Sequence, residues 1–166
     1  MRRATAGLAL AALLLAAGCG GRKSQVMPEE AIDFSSYHHI GVAAFSDRNG
    51  KGQAVADAID ALLQQEMYEP VDEKALAQVL AKYKFDRELG YGLEALLSIR
   101  SQSGADVLLI GHMAPDWSAA SVTMMETSNG APVLRMVLRP RGRKKKTFAT
   151  PEEVAQEFAR VYAKLR

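Results

Sequence analysis

This chain of 166 residues has little to do chemistry with: one cysteine, one tryptophan, three histidines and an aromatic content of 7%. A single thiol excludes an internal disulfide framework. His38 and His39 are neighbours on a predicted strand, so they point to opposite faces. His112 follows a buried strand alone. A metal centre needs three or four converging ligands, and no such spacing occurs, so no metal ligand is assigned. The turn Gly50-Lys51-Gly52 lacks the spaced first glycine and the hydroxyl after lysine of a phosphate loop. Ser35-Ser36 has no G-x-S-x-G setting. The expectation is a protein with no catalytic residue, no cofactor and no small-molecule substrate. Long hydrophobic runs are missing as well. The apolar stretch from Ala6 to Ala17 falls short of the roughly 20 residues that a spanning helix needs. Otherwise the balance is that of a globular domain, with 48% hydrophobic and 24% charged residues.

What is present begins with Cys19. Arg2 and Arg3 precede the apolar stretch, and small residues follow it, the pattern of a secretory signal peptide. Ala16-Ala17-Gly18-Cys19 resembles the lipobox of bacterial lipoproteins. The position three before the cysteine is Ala16 where the family has mostly leucine, and Leu15 lies one step earlier. The resemblance implies cleavage between Gly18 and Cys19, lipid on the Cys19 thiol and an acylated new amine. The alternative, a core cysteine in a short membrane helix, does not account for Arg-Arg, the apolar run and Cys-Gly-Gly in that order. Gly20, rather than Asp, follows the cysteine. By similarity to Gram-negative sorting, that favours the outer membrane, facing the periplasm.

Residues 1–18 are therefore read as signal, 19–36 as a flexible linker and 37–166 as one α/β domain. The linker reading rests on Gly20-Gly21, Pro28, scattered charges and few apolar residues. Fully extended, such a segment reaches at most about 55 Å. Arg2 and Arg3 supply the whole of the precursor's net charge of +2, so the mature side chains balance. The basic balance is thus no sign of nucleic-acid binding.

Periodicity outlines the domain. His38 to Phe45 reads as a buried strand, and Val55, Ile59, Leu62, Leu63 and Met67 mark a helix over 53–67. Tyr68 to Val71 reads as a short strand and Asp72 as a helix cap. Leu76, Val79, Leu80 and Tyr83 mark a second helix. Leu93, Leu96 and Leu97 mark a third, ending near Gly104. Ala105 to Gly111 is the strongest buried strand. Ser121–Thr127 and Val133–Leu138 flank the hairpin signal Ser128-Asn129-Gly130. Pro140 suggests that the second of these lies near a sheet edge. Thr150-Pro151-Glu152-Glu153 opens the last helix with a capping pattern. The order predicts an α/β sandwich with a mixed sheet in one domain, β-α-β-α-α-β-β-β-α.

This order, with Ile40–Phe45, Gly104-Ala105-Asp106 before a strand ending at Gly111, and the turn from Thr127 to Val133, resembles the CsgG-like group of envelope lipoproteins. That group includes domains similar to LpoB and to the TolB amino-terminal domain. Its channel-forming members insert long amphipathic hairpins; here Met113–Ser121 is too short for one. The resemblance implies a periplasmic domain without a pore. The resemblance also implies an expected role as an assembly or regulatory adaptor for secretion, appendage or peptidoglycan machinery, or alternatively as a self-assembling ring subunit.

A basic cluster is the other distinctive feature. Arg135, Arg139, Arg141, Arg143, Lys144, Lys145 and Lys146 occur with no acid between them. The four arginines share a parity, so an extended chain presents them on one face. Two readings stay open: a solvated loop whose like charges protect an edge, or a contact surface. The contact would be with an acidic envelope protein, anionic headgroups or wall polymer. Trp117 also has two readings, a partner anchor if exposed and a lid on the core if buried.

Overall fold

The computed structural model describes residues 23–28, 36–65, 68–85, 90–142 and 144–165. Cys19, the signal residues 1–18 and Arg143 lie outside the described residues.

Among the described residues there are nine elements. They are β1 (Gln25–Pro28), β2 (Ile40–Val42), α1 (Gly52–Gln65), α2 (Glu73–Lys82), α3 (Leu93–Ser103), β3 (Val107–Met113), β4 (Ala120–Glu126), β5 (Pro132–Leu138) and α4 (Pro151–Tyr162). The strands form one mixed sheet in the order β1-β5-β4-β3-β2, parallel only between β2 and β3. The fold class is the mixed α/β domain that periodicity predicts.

Alternation on the strands divides the core in two. Val107, Leu109, Val122, Met124, Leu134, Met136 and Leu138 face α1 and α4, and pack with Val55, Ile59, Phe158 and Val161. Leu108 and Met125 face α2 and α3, and pack with Leu76, Val79, Leu96 and Ile99. Leu108, Leu109, Leu134 and Phe158 are at most 1% exposed. Each stabilises the fold by about 1.5–3 kcal/mol through burial. The second helical layer reaches only part of the sheet. Ser121 and Arg135 on β4 and β5 are exposed, and Met27 on β1 is 50% exposed.

Local chemistry ends the elements where expected. Asp72 accepts from the Ala75 amide at 2.9 Å and caps α2. Gly104 closes α3 in the left-handed region at φ 78°, donating to the Arg100 carbonyl. The Thr127 hydroxyl then lies 2.7 Å and 2.8 Å from the carbonyls of Ala105 and Asp106. It joins the end of β4 to the start of β3. The capping pattern before α4 is rearranged: Thr150 makes no side-chain bond to the helix amides, and Glu153 instead accepts from the Ala149 amide at 2.8 Å.

Three expectations are corrected. Gln25–Pro28, placed by sequence in the linker, pair with β5 from Gln25↔Val137 to Pro28↔Leu134. β5 is consequently not an edge strand; β1 covers it. Residues 68–71 are an extended connection and not a strand, tied back by the Glu69 amide bonding the His38 carbonyl at 3.0 Å.

Candidate contact surface at the basic end of the sheet

The C-terminal end of β5 leads into the basic segment. Arg139 is half-buried, Pro140 is buried, and Arg141, Lys144, Lys145 and Lys146 are exposed. The Lys145 amide closes a turn on the Gly142 carbonyl at 3.2 Å. Phe148 then plugs the segment back into the core, 4% exposed, with its amide bonded to the Trp117 carbonyl at 2.9 Å. The segment is therefore a loop pinned at both ends. The shared parity of the arginines does not yield one row: Arg135 lies on the open face of β5, whereas Arg141 lies in the loop beyond the strand.

Two acidic side chains of α4 tie to this loop. Glu153 pairs with Lys145. The Ala149 amide first, then the Lys145 ammonium, hold its carboxyl below the ordinary glutamate range. Glu157, one turn on, is 7% exposed. Burial works to raise its carboxyl. Bonds from Arg160 and Ser24, with the charges of Arg160 and Arg141, outweigh burial and hold it low.

Ser24 is the residue that sequence reasoning missed. Its hydroxyl donates to Glu157 Oε1 at 2.6 Å and accepts from the Arg139 amide at 2.9 Å. The segment that opens β1 thus joins the fold beside the first residues of the basic loop. One signal was available: Glu157 falls between Val154 and Phe158 on the apolar stripe of α4, where a carboxylate needs a partner.

Trp117 is 7% exposed, so it belongs to the core and not to an exposed anchor. It adopts φ 58°, unusual for a bulky residue. The conformation is held by its amide bond to the Ala114 carbonyl at 2.8 Å and by the indole N–H on Asp47 Oδ1 at 3.2 Å. Lys51 Nζ lies 5.4 Å from the ring centroid. Asp47 is held below the ordinary aspartate range. Its burial, which raises it, is outweighed by bonds from the Lys51 and Asn49 amides and the indole, and by the Lys51 charge. A shallow polar depression of about 270 Å³ beside Trp117 is bounded by Asn49, Lys51, Asp116 and Phe148.

The opposite end of the sheet is acidic. His39 bridges Glu69 (Nε2 to Oε2, 2.9 Å) and Asp106 (Nδ1 to Oδ2, 3.2 Å). Burial first, then Glu126 and Asp106, raise the Tyr37 hydroxyl above its ordinary range. The two His39 nitrogens face different carboxylates. Among the described residues no three potential ligands converge on a metal position. An apolar recess of about 220 Å³ between α1 and α4, lined by Leu62, Leu63, Tyr68, Phe158 and Tyr162, holds no charged side chain. Among the described residues, no helix is long and apolar enough to cross a membrane.

No family model matches this sequence, and no curated protein matches it. Solved structures do match by fold. A variant of the PelC dodecamer from Paraburkholderia phytofirmans superposes with a TM-score of 0.50 at 12% identity, covering 82% of this chain and 96% of that one. A second PelC dodecamer from the same organism gives 0.48 at 14% identity, covering 86% and 96%. The NMR structure of Escherichia coli LpoB gives 0.44 at 15% identity, covering 61% of this chain and 56% of that one. At 12% identity the likeness to PelC concerns the fold alone.

Proposed function

We propose that the protein is a lipid-anchored adaptor of the bacterial envelope. It is held at the outer membrane facing the periplasm, and works by location and contact rather than catalysis. The observation that carries this reading is Cys19 directly behind Ala16-Ala17-Gly18, with Arg2, Arg3 and the apolar stretch before it and a folded α/β domain after it. Tethering raises the local concentration of the domain near membrane-bound partners. The adaptor serves an envelope machine for secretion, surface appendages or peptidoglycan synthesis.

The test is crosslinking in cells followed by pull-down, run beside a Cys19→Ala form. Capture of an envelope protein only when Cys19 is present supports the adaptor. Identical capture by both forms removes the role of the anchor.

A second reading, a self-assembling ring subunit, draws support from the dodecameric state recorded for PelC, whose fold this chain resembles. Sedimentation of the lipidated protein in detergent decides between them. A large discrete species that forms with concentration favours the ring, and a monomer throughout defeats it.

A further inference from the structure

We infer that the basic loop is a membrane-facing surface that seats the domain on anionic phosphate headgroups. The inference rests on the lipid anchor at Cys19 proposed above.

Two observations meet here. Ser24 is fixed to the fold by its bonds to Glu157 and the Arg139 amide. Five peptide units separate Cys19 from Ser24, so their Cα atoms lie at most about 18 Å apart. The long linker predicted from sequence would have let the domain drift through several nanometres. The pairing of β1 with β5 removes most of that freedom. The lipid must then lie close to the end of the molecule where Ser24 and Arg139 meet.

That end is the basic one. Lys23, Arg141, Lys144, Lys145 and Lys146 are exposed there. Among the carboxylates at this end, Glu153 is engaged by Lys145 and the Ala149 amide, and Asp47 by Trp117 and the Lys51 amide. Asp116 and Glu152 are exposed, and the cations outnumber them. Glu69, Asp106 and Glu126 lie at the far end of the sheet, around His39 and Tyr37. An anionic surface attracts one end of such a molecule and repels the other.

A membrane fits this surface better than an acidic protein does. A gap bounded by about 18 Å admits little more than one helix, whose diameter is about 10–12 Å. Exposed charges act over roughly 8–10 Å at ordinary ionic strength, and the tether, which allows any gap up to about 18 Å, lets the loop approach the headgroups to within that range. Juxtamembrane clusters of Lys and Arg recognise anionic lipid by this chemistry. The adaptor's protein partner is then met by the surfaces that point away from the bilayer.

Trp117 is the sole tryptophan and sits under the loop, bonded to Phe148, so it reports on the seat. The lipidated full protein is placed on phosphatidylcholine vesicles with or without phosphatidylglycerol, each carrying a headgroup nitroxide. Mass spectrometry first establishes the modification of Cys19. The expected result is Trp117 quenching that is at least about twofold stronger with phosphatidylglycerol and is abolished by high salt. The triple variant Arg141→Glu, Lys144→Glu, Lys146→Glu loses the difference while staying on the vesicle. The matching triple glutamine variant, shown folded by its melting temperature, gives an intermediate value. Equal quenching on both vesicle types with a modified Cys19 overturns this inference alone. So does a charge-reversed variant that keeps its quenching but loses a crosslinked envelope protein. An unmodified Cys19 overturns the lipoprotein reading, and this inference with it.

Discussion

The Ser24 hydroxyl donates to Glu157 at 2.6 Å across 133 positions of sequence, while accepting the Arg139 amide. Three elements meet in that one hydroxyl: the start of β1, the end of β5 and the middle of α4. Ser24→Ala removes both bonds and leaves the half-buried amide and the buried carboxylate one partner short. The expected cost is about 1–2 kcal/mol in urea denaturation. Amide exchange in β1 should accelerate while exchange in β3 and β4 stays slow. Unchanged exchange in β1 would mean that the strand holds by its ladder alone.

The carboxylate of Glu157 makes the same junction sensitive to acid. Its folded-state ionisation lies below the ordinary glutamate range, so its contribution is complete above that range. It is lost as pH falls through the lower folded value. Stability of the wild type should therefore decline between about pH 5 and 3 more steeply than that of Glu157→Gln. Parallel curves would show that Glu157 is not linked to folding.

Gly111 in β3 faces the ring of Phe45: a Cβ there would lie 2.1 Å from Cε1. The backbone of β3 and the aromatic ring occupy adjacent space with nothing between them. Gly111→Ala is expected to cost about 1–3 kcal/mol through forced displacement of the ring. Adding Phe45→Leu should recover part of that loss, read as a coupling in a double-mutant cycle. Strict additivity would contradict the packing described.

Thr127 is fully buried, and its hydroxyl serves the carbonyls of Ala105 and Asp106. Thr127→Val keeps the shape and removes the hydroxyl. A loss of about 1–3 kcal/mol is expected, because the Ala105 carbonyl loses its hydroxyl donor, whereas the Asp106 carbonyl keeps the Thr127 amide at 2.9 Å. Thr127→Ser should retain most of the stability by comparison. A valine variant as stable as the wild type would show that water or another donor satisfies the Ala105 carbonyl.

Much of the fold was legible in the residues. Val55, Ile59 and Leu63 recur at helical spacing and are buried in α1; Leu76 and Val79 do the same in α2. The continuous run in β3 is buried on both faces, as a central strand between two helical layers must be. Asp72 caps where it was expected to, because a cap depends on three neighbouring residues and nothing distant.

Local pattern by itself determined the helices, the three long strands and the hairpin turn. Tertiary structure alone decided what lies beside what. β1 has four residues and no alternation that stands out, so its register comes from β5, more than 100 residues away. Trp117 is buried because Asp47, Ala114 and Phe148 converge on it from three loops. The basic run was visible as composition, but its place beside Ser24 was not. Periodicity records which face of an element is apolar; it carries no record of which distant element will cover that face, or which end of the sheet a loop will share.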